Sequence, residues 1–166
     1  TLKNIPATLQ TISIELGDND IRYQGCRGLT FAFRDLVDKS LGSRGIKHLY
    51  LGLRKNNIDQ WGIATLARFK NLEHLESLEM DLEENHIDDD GARGLALLLT
   101  GTNGSKTLHT LKFNLKNNEI GDQGATWLFS QNKDEYVLNL HINLEQNRIG
   151  IVGLRKIADW WRTAVP

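Results

Sequence analysis

Residues 75–91 read LESLEMDLEENHIDDDG, and this stretch decides the fold. It holds four apolar residues, an asparagine, an isoleucine and a glycine at fixed spacing: Leu75, Leu78, Met80, Leu82, Asn85, Ile87 and Gly91. The same seven positions are filled by the same types of residue in four more segments, residues 9–25, 46–62, 108–124 and 137–153. Chance does not supply such agreement, so the chain is predicted to be a stack of five structural repeats.

The spacing of the five copies shows where the repeats differ in length. Equivalent asparagines lie 37, 29, 33 and 29 residues apart, at Asn19, Asn56, Asn85, Asn118 and Asn147. The surplus falls in residues 39–45 and 100–106, which are rich in Gly and Ser and are predicted to be loops. We therefore expect one domain over residues 1–166, with repeats at about 9–36, 46–72, 75–100, 108–131 and 137–162.

Each repeat changes its periodicity once. Residues 12–16 alternate between apolar and polar side chains, which is the period of a strand with one buried face. Residues 91–99 repeat their apolar positions at helical spacing instead. Because a helix follows every strand, successive strands are predicted to be parallel neighbours, with the helices covering the outside.

Two sets of polar residues are predicted to hold the stack together. The repeated asparagine is expected to form an internal ladder in which each amide bonds backbone at the bend after the strand. An apolar residue there would leave buried polar groups unpaired. Acidic residues stand just before the predicted helices, at Asp59, Asp88–Asp90 and Asp122, where carboxylates are expected to cap free N–H groups.

The repeated L-x-x-L-x-L pattern with its asparagine step resembles leucine-rich repeats, and the pairing of strand with helix resembles their ribonuclease-inhibitor-like class. One departure is regular: an extra x-Leu pair precedes each asparagine step, which resembles the long-strand repeats of protist proteins. The resemblance covers residues 9–161. It implies an α/β fold, a right-handed solenoid in a horseshoe arc with a parallel sheet on the concave face and helices on the convex face.

Polar residues alternate with the buried ones and are predicted to line the concave face. Opposite charges stand on neighbouring strands, so Glu79 is expected to pair with Lys112. A second lateral row is expected to run Arg54–Glu83–Lys116. These pairs are either a self-neutralised charge ladder or part of a docking surface for a protein partner. The candidate partner-binding residues are Tyr50, Arg54, Glu79, Asp81, Glu83, Lys112, Lys116 and His141, with Tyr50 as anchor.

Composition narrows the classes of function. Twenty basic and 21 acidic residues leave a formal charge of −1, so we expect neither nucleic-acid nor membrane binding. The single cysteine, Cys26, excludes a disulfide framework and a cysteine-rich zinc site, and it is predicted to be a small buried residue. No catalytic, cofactor-binding or metal-binding pattern appears, and we expect a cytoplasmic protein that is not an enzyme.

Two functions remain open. The leading one is a non-catalytic protein–protein interaction scaffold. The alternative is a regulator of a small GTPase, implied by resemblance to the Ran GTPase-activating protein, which has this class of repeat. Because residues 1–8 are too short for a capping helix and no strand follows residues 159–162, we also expect a fragment of a longer solenoid, or end-to-end contact with a second copy or neighbouring repeats.

Overall fold

The computed structural model describes residues 9–40, 45–72, 74–99, 107–130 and 137–164. Within these ranges the strands are β1 Thr11–Glu15, β2 His48–Gly52, β3 Ser77–Asp81, β4 Thr110–Asn114 and β5 Asn139–Asn143. A helix follows each strand: α1 Arg22–Ser40, α2 Gln60–Leu66, α3 Asp89–Leu99, α4 Asp122–Ser130 and α5 Ile151–Ala164. A 3₁₀ turn at Ala67–Asn71 continues α2.

The five strands form one parallel sheet in chain order, from β1 to β5. Equivalent positions of the repeats pair without slip, so that Leu51 lies between Ile14 on one side and Met80 on the other. A slip of one residue would turn the leucine outward and its polar neighbour inward. The predicted register and the predicted α/β solenoid architecture are confirmed.

The core is closed in the three central repeats. Their strand-side apolar positions and the isoleucine after the asparagine are at most 6% exposed, as at Leu75, Leu82 and Ile87. The equivalent residues of the first and fifth repeats, such as Ile14 and Ile142, are only half-buried. Each repeat is therefore buried by its neighbours, as expected for a solenoid.

The extra x-Leu pair lies just beyond each strand. β2 ends at Gly52, immediately before Leu53. Backbone pairing nevertheless continues, because the Leu53 N–H donates to the Asp81 carbonyl at 2.7 Å. The Lys55 N–H, two residues further on, donates to the Glu83 carbonyl at 3.0 Å, and Lys55 adopts a positive φ of 55°. The expected lengthening of the strand is thus a hydrogen-bonded extension in which the chain begins to bend.

The predicted asparagine ladder holds this bend. Asn85 is 5% exposed, and its amide oxygen accepts from the N–H groups of Asn56 (3.0 Å) and Ile58 (2.9 Å) in the preceding repeat. Its amide nitrogen donates to the carbonyls of Leu53 and Leu82, both at 3.0 Å. The same reach into the preceding repeat is made by Asn56, Asn118 and Asn147. The asparagines therefore join successive repeats, and their predicted structural role is confirmed.

Carboxylates cap the helix N-termini, but not always the expected ones. Asp59 accepts from two N–H groups in the first turn of its own helix α2, at 3.0 and 3.1 Å. Asp88 also caps its own helix as predicted, because its Oδ1 accepts from the Gly91 N–H at 3.0 Å, in the first turn of α3. The prediction is wrong for Asp89 and Asp122, because both lie inside the first turn and reach the next repeat. Asp122 Oδ1 accepts from the N–H groups of Gly150 (2.7 Å) and Gly153 (2.8 Å), at the start of α5.

Glycines make this exchange between repeats possible. Gly121 and Gly150 stand where Asp59 stands in the second repeat, so α4 and α5 have no capping side chain of their own at that position. A Cβ on Gly153 would lie 2.7 Å from the Asp122 oxygen. The glycine at the last position of the repeat pattern, of which Gly153 is the fifth copy, therefore allows close packing between repeats. The helices begin two or three residues before this glycine rather than after it.

Parts of the two predicted loops lie outside the described residues. α1 extends to Ser40, so the first insertion begins as helix, and residues 41–44 are outside the described ranges. The second loop, residues 100–106, is outside them as well, as are the predicted repeat ends at residues 100 and 131 and the segment 1–8.

Candidate partner-binding surface on the concave face

The sheet turns one face away from the helices, and we call it the concave face. Two rows of residues cross β2 to β5 on this face. The first row is Tyr50, Glu79, Lys112 and His141. The second row is Gly52, Asp81, Asn114 and Asn143. Five of the eight predicted partner-binding residues thus lie on the sheet itself.

The other three predicted residues form a rim. Arg54, Glu83 and Lys116 each stand two residues beyond the end of a strand, where the hydrogen-bonded extension begins to bend. Together with the two rows they form one surface, so the structure brings all eight predicted residues to the same side of the sheet.

The concave face contains a depression because the rows differ in side-chain length. Long side chains fill the row of Tyr50 and the rim, whereas the row between them consists of one glycine, one aspartate and two asparagines. The result is a depression of about 480 Å³ that spans β2 to β5. It is lined by Tyr50, Glu79, Asp81, Lys112 and His141, among others.

Ion pairs cross the concave face between strands. Lys112 Nζ lies 3.3 Å from Glu79 Oε2, as predicted. Arg54 lies 3.8 Å from Glu83 and donates a shorter hydrogen bond to Glu84. This bond holds the pKa of the Glu84 carboxyl below its ordinary value. Exposed pairs of this kind contribute little to stability.

The predicted pair between Glu83 and Lys116 is wrong. Lys116 Nζ lies 3.3 Å from Glu145 Oε2 on the far side. Glu83 accepts instead from Asn114 Nδ2 at 3.3 Å, in addition to its contact with Arg54. The predicted row Arg54–Glu83–Lys116 is therefore split into the pairs Arg54–Glu83 and Lys116–Glu145. Asn114 occupies the side of Glu83 that faces β4.

Side chains of the second row form hydrogen bonds to the backbone where the strands end. Asp81 Oδ1 accepts from the N–H of Glu83 at 3.1 Å, and Asn143 Oδ1 accepts from that of Glu145 at 3.0 Å. Asn114 Nδ2 donates to the same Asp81 oxygen at 2.9 Å. Asp81 therefore has a structural role besides its predicted role in binding, and the floor of the depression is held by hydrogen bonds.

Tyr50 stands among carboxylates at the β2 end of the depression. Its hydroxyl donates to the Glu15 carboxylate, which lies over Gly52. Any Cβ on Gly52 would collide with that carboxylate, so the glycine permits the contact. Burial, this hydrogen bond and the charges of nearby carboxylates, including Asp81 and Glu79, raise the pKa of Tyr50 to about 12. The tyrosine is therefore a neutral, oriented hydroxyl at an acidic end of the surface.

Three residues take part in this surface although the sequence analysis did not select them: Glu15, Asn114 and Glu84. Glu15 and Asn114 occupy the same alternating row as Asp81, so the alternation already indicated which way they face. Glu84 lies at the bend, where Lys55 Nζ is 3.3 Å from it. The strand period does not extend to that position and gave no signal for it.

The described residues contain no group of three or more His, Cys, Asp or Glu side chains that could hold a metal ion. Cys26 is buried as predicted, and burial raises the pKa of its thiol to about 12. A thiolate is therefore not formed at neutral pH. Among the described helices, none combines the length and apolar character that crossing a bilayer requires.

Comparison with known families supports the repeat assignment. A family model described as Leucine Rich repeat matches residues 71–96 and 107–128, which cover most of the third and fourth repeats. A comparison with curated proteins gave no match. Together with five parallel strands that alternate with five helices in the described residues, the matches support a leucine-rich-repeat solenoid. Leucine-rich-repeat domains generally mediate protein–protein interaction, and the family is typically non-catalytic.

Proposed function

We propose that this leucine-rich-repeat chain is a non-catalytic interaction scaffold that docks a protein partner on its concave face. The depression across β2 to β5 carries the proposal, because polar side chains of four repeats converge on it. Tyr50 is the anchor, since tyrosine combines a large contact area with a hydrogen-bonding tip. The polar contacts around it come from Arg54, Glu79, Asp81, Glu83, Lys112, Lys116 and His141.

The charges favour a partner with a basic group at one end of the contact and an acidic group at the other. Carboxylates of Glu15 and Asp81 lie near Tyr50, whereas Lys112 lies on β4 beyond them. The Lys112 and Glu79 side chains are 50% and 42% exposed, so rearranging this pair for a partner costs little. Opposed like charges would exclude partners with the reverse pattern.

Several finer assignments are part of the same proposal. The pairing of one strand with one helix in every repeat supports the ribonuclease-inhibitor-like class and a single domain over residues 1–166. A cytoplasmic location is proposed because the only cysteine, Cys26, is free and buried. End-to-end contact with a second copy or with neighbouring repeats stays a prediction for the fifth repeat, where Leu138 and Trp161 are 75% and 64% exposed.

The proposal is tested with a double substitution on the concave face, Tyr50→Ala with Glu83→Lys. Proteins captured by the immobilised chain are identified, and the affinity of the purified partner is then measured by calorimetry. We expect the concave variant to bind about tenfold or more weakly, as for loss of an interface anchor. The matched control is Tyr23→Ala with Gln123→Lys, on the exposed surface of α1 and α4, which should bind as the unmodified chain does. Equal affinity of the concave variant would place the site elsewhere.

No observation favours the alternative of a small-GTPase regulator. That role requires basic residues clustered at the rim to meet a nucleotide-bearing partner. The rim is instead mixed in sign, since Arg54, Lys55 and Lys116 stand beside Glu83, Glu84 and Glu145. An assay of GTP hydrolysis with candidate small GTPases separates the two functions, because a scaffold leaves the rate unchanged.

A further inference from the structure

A second hollow lies in the helix layer, between α1 and the end of α2, and we call it the α1–α2 groove. It has a volume of about 330 Å³ and is lined by Arg27, Phe31, Arg34, Thr65, Arg68 and Phe69, among others. Its α1 wall comes from the middle of that 19-residue helix. Its other wall begins where α2 ends after 7 residues and passes into the 3₁₀ turn, which supplies Arg68, Phe69 and Asn71.

Helical spacing places three of these residues on one face of α1. Arg27, Phe31 and Arg34 stand at positions i, i+4 and i+7. The two guanidinium groups lie 5.4 and 4.8 Å from the centroid of the Phe31 ring, which is itself 36% exposed. Cation–π contact therefore orients two guanidinium groups around an accessible aromatic ring.

The other wall comes from the second repeat. Thr30 Oγ1 donates to the Thr65 carbonyl at 3.2 Å and so ties α1 to α2. Arg68 lies on the 3₁₀ turn and is exposed. Phe69 closes the floor, since it is 1% exposed and packs edge-on against Phe33 with the ring centroids 5.6 Å apart. The groove is thus an apolar floor beneath three arginines, and its described lining residues include no carboxylate.

We propose that the α1–α2 groove binds a short acidic segment of a partner protein, in which an apolar side chain lies between carboxylates. The apolar side chain packs on Phe31 and the floor of the groove. The carboxylates pair with Arg27 and Arg68, because a guanidinium group matches a carboxylate in bidentate geometry. This site is separate from the concave face and does not depend on the function proposed for that face.

The combination of charge and apolar floor favours a peptide over other anions. Nucleic acid is bound by basic residues spread along a backbone, whereas these three arginines surround one hollow in a chain of net charge −1. A small anion such as phosphate would leave Phe31 uncovered. A lipid surface calls for a broad apolar helix face, whereas the exposed ring of Phe31 lies between two arginines.

The test uses the acetylated hexapeptide DELFED and the full chain, with binding followed by NMR titration. We expect the largest shifts at the backbone amides of Thr30, Thr65 and Asn71, and saturation that weakens with added salt. The double variant Arg27→Gln with Arg68→Gln should lose at least tenfold in affinity. The matched control, Arg155→Gln with Lys156→Gln on the exposed side of α5, should keep the affinity of the unmodified chain.

Peptide and competitor controls separate the possible ligands. The peptide DEGGED, which keeps the charges but lacks the apolar side chains, should bind at least tenfold more weakly than DELFED. The proposal would be overturned if the two peptides bound equally well or if the shifts mapped to the concave face. It would also be overturned if the arginine double variant and its control lost affinity equally. At constant ionic strength, displacement of DELFED by 10 mM inorganic phosphate or by phosphatidylserine vesicles would also overturn it, in favour of a phosphate or a lipid headgroup.

Discussion

The bend after each strand and the concave face are built from the same five repeats, yet the copies agree at the bend and differ on the face. The bend carries an asparagine in every repeat. The first row of the face, continued onto β1, carries five different residues: Ser13, Tyr50, Glu79, Lys112 and His141. Positions that join one repeat to the next must be the same, because every junction has the same geometry. Positions that vary are free to serve a partner.

The largest effect is expected at the buried bend. Asn85→Ala removes an amide that accepts from two N–H groups of the preceding repeat and donates to carbonyls of both repeats. Each buried group left unpaired costs about 1–3 kcal/mol, so we expect a loss of about 3 kcal/mol or more. Denaturant unfolding, read at the midpoint with an unchanged slope, measures it.

The matched control is the same substitution at the exposed copy. In the part of the chain that the structure describes, the Asn19 amide donates within its own repeat, to the carbonyls of Leu16 and Gly17. Asn19→Ala should therefore cost less than about 1 kcal/mol. Similar losses at both positions would mean that the asparagine acts within its own turn and does not join repeats.

The next largest effect is expected where a carboxylate caps the helix of the following repeat. Asp122→Ala leaves the N–H groups of Gly150 and Gly153 without their acceptor, and loss of a cap typically costs about 1–2 kcal/mol. Amide hydrogen exchange should become faster at the start of α5, while the start of α4 stays protected. Asp90→Ala, which changes an exposed carboxylate in the first turn of α3, is the control. Faster exchange confined to α4 would contradict capping between repeats.

On the concave face the expected effect on stability at neutral pH is small, and a dependence on pH appears only at high pH. The pKa of Tyr50 is raised to about 12 from an ordinary value of 10. The unfolded chain therefore loses this proton first, and the free energy of unfolding should fall as pH rises from about 10 to about 12. At neutral pH Tyr50→Phe should change stability by less than about 1 kcal/mol.

NMR titration of the tyrosine ring carbons measures this pKa directly. Glu15→Gln removes the carboxylate that accepts the Tyr50 hydrogen bond, so it should move the pKa of Tyr50 down toward its ordinary value. Glu119→Gln, which changes a carboxylate at the bend of the fourth repeat, should leave the titration unchanged. If Tyr50 ionises at the same pH in both variants, Glu15 does not hold the hydroxyl.

The fold could be predicted from the sequence because its signals are local and repeated. Alternation fixed which residues of Ile12–Leu16 and its copies turn inward, and the asparagine marked each bend. The caps that reach from one repeat to the next could not be predicted in this way. Asp122 accepts from the N–H of Gly150, 28 residues further along the chain. This contact depends on two helix starts lying side by side, which the sequence of one repeat does not show.

The candidate surface was predictable in outline but not in its contacts. Period two placed Tyr50 and Lys112 on the open face, yet it does not say which neighbour a long side chain selects. Lys116 pairs with Glu145 rather than Glu83, and Glu15 reaches over a glycine to Tyr50. The α1–α2 groove was missed because its second wall lies where α2 passes into a 3₁₀ turn, which no repeat motif records.

Blocking one face at a time tests most directly whether the variable concave face is the partner-binding surface. Because Cys26 is buried and the pKa of its thiol is raised, we expect it not to react with a maleimide in the folded chain. Lys112→Cys and Gln123→Cys then each present one reactive thiol, on the concave face and on α4 respectively. Each variant is labelled with a bulky polyethylene glycol maleimide and its affinity for the captured partner is measured. We expect the label at position 112 to abolish binding and the label at position 123 to leave it intact. Full binding with position 112 blocked would show that the partner binds elsewhere.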